Sequence, residues 1–279
     1  MPNLLTADQI EYLIQFAHPD KMLKWSTTVD ERVLATIYGV DVTDYRASRA
    51  RFASRVREAA LDLLKDDPFA RRVDKLPFAP KSVVVGLGDS ITDDHQSWLE
   101  ILTDLLLLRR PEEGITVINA GISGDTTSQM ITRFLEVVNA KPDWIIAMPG
   151  TNDARLHGEK PTKTLVSIEE TKKNIAMLRN YAATQTKARW VWMTPATVIE
   201  EKIPKHWLLG EGQMMWRNKD LAAIAAVIRR QPEPVVDLQK VFGNPANPKL
   251  LMDDGLHPSI TGQKEIVRAL VTKLISVRQ

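Results

Sequence analysis

Val83-Val84-Val85-Gly86-Leu87-Gly88-Asp89-Ser90-Ile91-Thr92 decides how the rest of this chain is read. Consecutive valines and a leucine make an apolar, β-branched run of the length of a buried strand. Two glycines, an aspartate and a serine punctuate its end, and a helix-like run opens near Trp98. A serine on such a turn is solvent-facing, held by a rigid sheet and close to unpaired backbone N–H groups. That is where a nucleophile is useful. A structural turn is the alternative reading of Gly88-Asp89-Ser90 taken alone. A dinucleotide loop is dropped, because its third glycine would fall at Ile91.

Similar apolar runs recur at 115–119, 144–148, 189–193 and 235–238, after the first at 82–87. Helix-like runs separate them at 98–108, 126–139, 168–183, 213–230 and 261–277. Strands alternating with helices predict an α/β fold, a mostly parallel five-stranded sheet with helices on both faces. Sites in such sheets form beyond the carboxyl ends of the strands. Residues 1–75 read as helical instead. Thr6 with Gln9 is a capping box, Ile10, Leu13, Ile14 and Ala17 follow at helical spacing, and Pro19 closes that segment. A second helix is expected over 28–37, ended by Gly39, and a third over 43–65. Arg46, Arg49, Arg51, Arg55 and Arg57 on the third are read as a solvated face rather than an anion site. Leu76-Pro77-Phe78-Ala79-Pro80 is expected to link this helical region to an α/β domain over 81–279.

The chain has 279 residues, 44% hydrophobic and 26% charged, ample for a large core. A formal charge of +2 and a pI near 8.7 argue against nucleic acid or an anionic membrane as partner. With no cysteine, disulfides, thiolate chemistry and cysteine-zinc sites are excluded. Met1-Pro2-Asn3-Leu4-Leu5-Thr6 has neither the basic nor the apolar region of a signal peptide. Apolar runs such as Leu105 to Leu108 are too short to span a membrane. A cytoplasmic protein without stable membrane insertion is expected, with homo-oligomerisation left open.

Four blocks fall at strand or helix edges and should converge on one rim of the sheet. They are Gly88-Asp89-Ser90, Asn119-Ala120-Gly121-Ile122-Ser123-Gly124-Asp125, Pro149-Gly150-Thr151-Asn152-Asp153 and Asp253-Asp254-Gly255-Leu256-His257-Pro258. Acyl transfer needs a base for the serine hydroxyl and donors for the oxyanion. Of five histidines, His257 combines such a context with a carboxylate, Asp254, three residues earlier. Asp254 could hold Nδ1–H and leave Nε2 facing Ser90. Donor candidates are the N–H groups of Gly121 and Ser90 and the side-chain amide of Asn152. Singly, Gly121 also reads as a turn glycine and Asn152 as a helix cap. The Asp254 and His257 pair also reads as a loop hydrogen bond or a metal-ligand pair, although no His-Glu-x-x-His cluster supports a metal.

Taken together and in this order, the blocks resemble the SGNH hydrolases, also called GDSL-type esterases and lipases. The resemblance covers residues 81–279 and rests on Gly88-Asp89-Ser90-Ile91-Thr92, Gly121, Gly150-Thr151-Asn152-Asp153 and Asp254-Gly255-Leu256-His257-Pro258. Ile91 stands where the name-giving motif has leucine. The resemblance implies a flavodoxin-like three-layer α/β/α fold. It implies Ser90 as nucleophile, His257 as base, Asp254 as orienting acid, and Ser90, Gly121 and Asn152 around the oxyanion. The partner would be a small-molecule ester, with no cofactor and no metal. Short-chain or aryl esters are the first expectation, acetylated sugars the second, then lysophospholipids and thioesters. A binding or scaffold protein on a hydrolase fold is the non-enzymatic alternative.

The remaining residues get plainer readings. His18, His95, His157 and His206 are expected on the surface or in packing, with substrate contact the alternative for His95. Arg155 is expected to be solvated, with an acidic group of the substrate the alternative partner. Asp89 and Asp125 are expected to bond turn backbone. The segment 197–215, with Ile203, Trp207, Leu208, Leu209, Met214 and Met215, reads either as a substrate pocket wall or as packing on the N-terminal helices or a partner subunit.

Overall fold

The computed structural model describes residues 5–23 and 28–276. The strands are β1 (Val83–Gly88), β2 (Thr116–Gly121), β3 (Trp144–Met148), β4 (Leu156–His157), β5 (Arg189–Met193), β6 (Met214–Met215) and β7 (Val235–Val236). Five of them make one parallel sheet in the order β2-β1-β3-β5-β7, and β4 and β6 make a separate antiparallel pair. The order reverses at β1, whose last residue, Gly88, lies level with Gly121 on one side and Met148 on the other. The loops after β1, β2 and β3 therefore leave at one rim, where such sheets bind ligands.

Before the sheet come α1 (Ala7–Phe16), α2 (Pro19–Met22), α3 (Glu31–Tyr38), α4 (Val42–Leu64) and α5 (Asp67–Asp74). Within it are α6 (Ser90–Asp93), α7 (Trp98–Arg109), α8 (Thr127–Thr132), α9 (Phe134–Asn139), α10 (Ile168–Gln185), α11 (Trp207–Glu211), α12 (Asn218–Arg229), α13 (Leu238–Phe242) and α14 (Ile260–Ser276). Val277, the expected end of the last helix, lies outside the described residues, as do Met1 to Leu4. No described helix is long and apolar enough to cross a membrane.

Side chains alternate along each strand, so both faces of the sheet are buried. Val84, Trp144, Ile146, Val191 and Met193 join one core with α7, α13 and α14. Val85, Leu87, Ile145, Ala147, Trp190 and Trp192 join the other with α8, α9, α10 and α12. This is the three-layer arrangement expected.

The N-terminal helices extend it by a further layer. Val56, Ala59, Ala60 and Leu63 of α4 and Phe69 and Val73 of α5 belong to the same core as α7 and α14. Segment 76–80 is no free linker. Leu76 and Phe78 are buried in that core, Phe78 sits edge-on to Trp144 at 5.4 Å, and Arg110 donates to both of their carbonyls. The arginines of α4 are surface groups, as expected, and some reach neighbouring helices. Arg51 and Arg55 pair with Glu11 of α1, and Arg46 with Glu31 of α3.

Several boundaries differ from expectation, three of them with a clear physical reason. Pro19 opens α2 rather than closing a helix, because its missing N–H is harmless at a first turn. The helix expected over 126–139 breaks at Arg133, whose side chain turns inward. The helix expected from Gln213 starts at Asn218, because Met214 and Met215 are paired with β4.

Leu63→Ala removes a fully buried side chain shared by α4 and the sheet layer. It should cost ~2–5 kcal/mol and lower the melting temperature of the whole chain in a single calorimetric transition. Two separate transitions would show the N-terminal helices to be an independent unit.

Candidate active site

Asp89 follows β1 and caps α6, its side chain accepting the Ile91 N–H at 3.1 Å. Ser90 is therefore the first residue of α6, at a turn whose N–H groups have no helical partner. The loop before α14 brings the other two groups. Asp254 Oδ1 accepts the N–H groups of Leu256 and His257 at 2.8 and 2.9 Å. Its Oδ2 lies 2.6 Å from His257 Nδ1, and His257 Nε2 lies 2.9 Å from Ser90 Oγ. A carboxylate only accepts, so Nδ1 carries the proton and Nε2 faces the serine as an acceptor.

Burial governs the charges here. Asp254 is 1% exposed, which opposes its ionisation, but the charge and hydrogen bond of His257 and two backbone N–H groups hold its pKa down to about 2. Burial also opposes charging His257. The charge and hydrogen bond of Asp254, then the charges of Asp94 and Asp89, outweigh it and hold the ring above the ordinary histidine value. Burial raises Asp89 and Asp94 to about 6.

The donors need one correction. Asn152 is buried and gives one amide hydrogen to Asp125 O at 3.2 Å, leaving its second. Gly121 N–H, expected at the oxyanion, is already given to Asn119 Oδ1 at 3.0 Å. Gly121 serves close packing instead, since a Cβ there would lie 2.5 Å from Asp93 N. Gly124, three residues on, adopts φ +87°, has open space where a Cβ would sit, and its N–H has no partner among the described residues. It precedes Asp125, whose carbonyl takes the Asn152 amide. The repeated glycines of Gly121-Ile122-Ser123-Gly124 were the available signal.

Buried ions hold these loops. Arg133 donates to Asp125 at 2.5 Å, to Ala120 O at 2.7 Å and to Gly88 O at 3.1 Å. Asp153 accepts from the N–H and hydroxyl of Thr127 and the hydroxyl of Thr171. Asp93 takes the N–H of Ser123 at 2.9 Å and pairs with His18 and Lys21. Burial opposes its charge, but His18 and Lys21 keep its pKa below the ordinary carboxylate value.

The N-terminal helix α1 also enters the site. Tyr12 donates its hydroxyl to Asp254 Oδ2 at 3.0 Å, and its oxygen lies 3.2 Å from His257 Nδ1. The ring of Phe16 lies against that of His257 at 4.3 Å. Neither residue stood out in the sequence, where the helical face is read from Ile10, Leu13, Ile14 and Ala17. Of segment 197–215, Ile203 and Leu209 enter the sheet core, while His206 and Trp207 meet the Tyr12 ring at 4.8 and 6.0 Å. That part of the segment packs on the N-terminal helices.

Among the described residues, His257 is the histidine that hydrogen-bonds Ser90. His18 and His95 stack at 3.9 Å, and His157 is exposed. Arg155 is half-buried rather than solvated, and its Nε has no partner among the described residues. Among the described residues no cluster of three His, Asp or Glu side chains could hold a metal ion.

Residues 87–265 match the GDSL-like Lipase/Acylhydrolase family model. An arylesterase of Vibrio mimicus is 27% identical over 195 residues, 68% of this chain and 86% of that protein. An acetylxylan esterase of Geobacillus stearothermophilus is 26% identical over 210 residues, 67% of this chain and 91% of that protein. Among solved structures, an alpha/beta hydrolase enzyme from the metagenome of Lake Arreo, Spain, superposes with a TM-score of 0.55 at 24% identity, covering 71% of this chain and 97% of its own. The acetylxylan esterase from Geobacillus stearothermophilus gives 0.53 at 22% identity, covering 71% and 95%.

The charge balance at His257 is testable directly. Its ring should titrate above ~6.5 by NMR. Asp254→Asn removes the main stabilising charge and leaves burial opposed only by the charges of Asp94 and Asp89, so the titration should fall from its wild-type position. A ring that titrates lower in the wild type would contradict this balance.

Proposed function

This chain belongs to the GDSL-like lipase/acylhydrolase family, and as a carboxylic ester hydrolase of that family it works, we propose, through an acyl-enzyme on Ser90. The observation that carries this reading is the relay Ser90 Oγ, His257 Nε2, His257 Nδ1, Asp254 Oδ2, with separations of 2.9 and 2.6 Å across its two hydrogen bonds.

His257 Nε2 takes the Ser90 proton as Oγ attacks the ester carbonyl. The imidazolium that forms is stabilised by Asp254, which stays ionised. The oxyanion is held by the Ser90 N–H, the second Asn152 amide hydrogen and the Gly124 N–H. His257 then gives its proton to the leaving alcohol, and water repeats the sequence on the acyl-enzyme. The base works only when neutral. Because its pKa is raised, activity should be lost as pH falls through a value above ~6.5.

For the substrate we keep short-chain or aryl esters first and acetylated sugars second. The relatives named arylesterase and acetylxylan esterase support both. Hydrolysis of p-nitrophenyl esters of rising chain length, alongside acetylated xylose and cellobiose, separates the two.

Ser90→Ala should abolish both turnover and labelling by a fluorophosphonate probe. Asn152→Ala should lower kcat by ~10²–10³-fold with labelling slowed. Wild-type rates in Ser90→Ala on p-nitrophenyl acetate would sink the mechanism.

A further inference from the structure

We propose that Tyr12 is a positioning residue of the reaction centre, its hydroxyl donating to Asp254 Oδ2 and sharing that oxygen with the His257 Nδ1–H. The proposal rests on the Ser90–His257–Asp254 reading above. It places a working group on α1, outside the residues that match the family.

The hydrogen bonds of Asp254 make the case. Its Oδ1 takes two backbone N–H groups and its Oδ2 takes the imidazole and the Tyr12 hydroxyl. The carboxylate is thus fixed at both oxygens, and with it the plane of the ring that must face Ser90. Burial, and then the charge of Asp254 and its hydrogen bond, raise the Tyr12 pKa well above the usual phenol value, so the hydroxyl stays a donor.

The Tyr12 ring has little freedom to leave. It packs against Phe16 and His206 at 4.8 Å each and against the Trp207 edge at 6.0 Å. The helix beneath it is held by its Thr6–Gln9 capping box and by Glu11 paired to Arg51 and Arg55.

The hydroxyl also acts on the base. A hydrogen bond into Oδ2 draws charge from the oxygen that stabilises the imidazolium. Three carboxylates raise the affinity of His257 for a proton: Asp254 on its own loop, and Asp94 and Asp89 at the ends of α6. On the segment before α11, His206 opposes it when charged. From α1, Tyr12 moderates the strongest of the three, and Phe16 adds an uncharged face. Tyr12 thereby keeps His257 neutral over a wider range of pH than Asp254 alone would allow.

Tyr12→Phe keeps the ring and removes only the hydroxyl. It should lower kcat roughly three- to ten-fold near the wild-type acid limb while leaving KM nearly unchanged. The acid limb of kcat/KM should move to higher pH. The low-field Nδ1 proton resonance of His257 should move downfield, as the Asp254–His257 bond strengthens. Tyr38→Phe is the control: it removes a hydroxyl that donates to Ala17 O, away from the triad. It should lower the melting temperature and leave both the limb and the resonance in place. If Tyr12→Phe changes only stability, or leaves the limb and resonance unmoved, Tyr12 is packing and the proposal falls. Fluorophosphonate labelling of Ser90 in the wild type keeps the two readings apart. No labelling overturns the acyl-enzyme, whereas labelling with an unmoved limb overturns the role of Tyr12 alone.

Discussion

A carboxylate sealed from water has to find every hydrogen bond within the protein, or it gives up its charge. Asp254 is that group here, and the chain is arranged to satisfy it. Two backbone N–H groups come from its own loop, the imidazole comes from three residues on, and a hydroxyl comes from the first helix. The first two are local and follow from a tight turn. The last requires α1 to lie across the carboxyl rim of the sheet, which requires α4 beneath it and the shared core beneath that. Much of the architecture of the first 75 residues serves to bring that hydroxyl and the Phe16 ring to the rim.

The same logic repeats in the surrounding loops. The second and third loops that leave the rim are held by buried or nearly buried charges with several partners, Asp93 and Arg133 on the second and Asp153 on the third. Charge-assisted bonds are directional and stronger than neutral ones. They hold backbone donors in place before substrate arrives, and preorganised donors are what stabilise a developing oxyanion.

What the sequence showed, and what it hid, follows from the range of each interaction. The strands 144–148 and 189–193 were legible to the residue because apolar β-branched runs with sharp flanks are local signals. Ser90, Asn152, Asp254 and His257 were legible because each sits in a short block at an element edge. Gly121 and Gly124 could not be told apart, since what separates them is the approach of the α6 backbone to Gly121. Proline spacing at 76–80 suggested a connector, yet the alternating Leu76 and Phe78 were already the mark of a buried segment. The break at Arg133 and the reach of Tyr12 depend on partners far away in sequence, which no periodicity records.

The bond between Tyr12 and Asp254 joins positions 242 residues apart. Few contacts in the fold span a longer loop, and contacts of that kind form late, because closing so much chain is entropically costly. During synthesis, α1 and α4 leave the ribosome before their packing faces on α7 and α14 exist. The serine turn follows, still without its imidazole. The reaction centre assembles when the loop of Asp254 and His257 docks beneath the first helix, so a chain halted before that loop carries a serine with no imidazole to activate it. Chemical competence in this protein is thus a readout of completed folding.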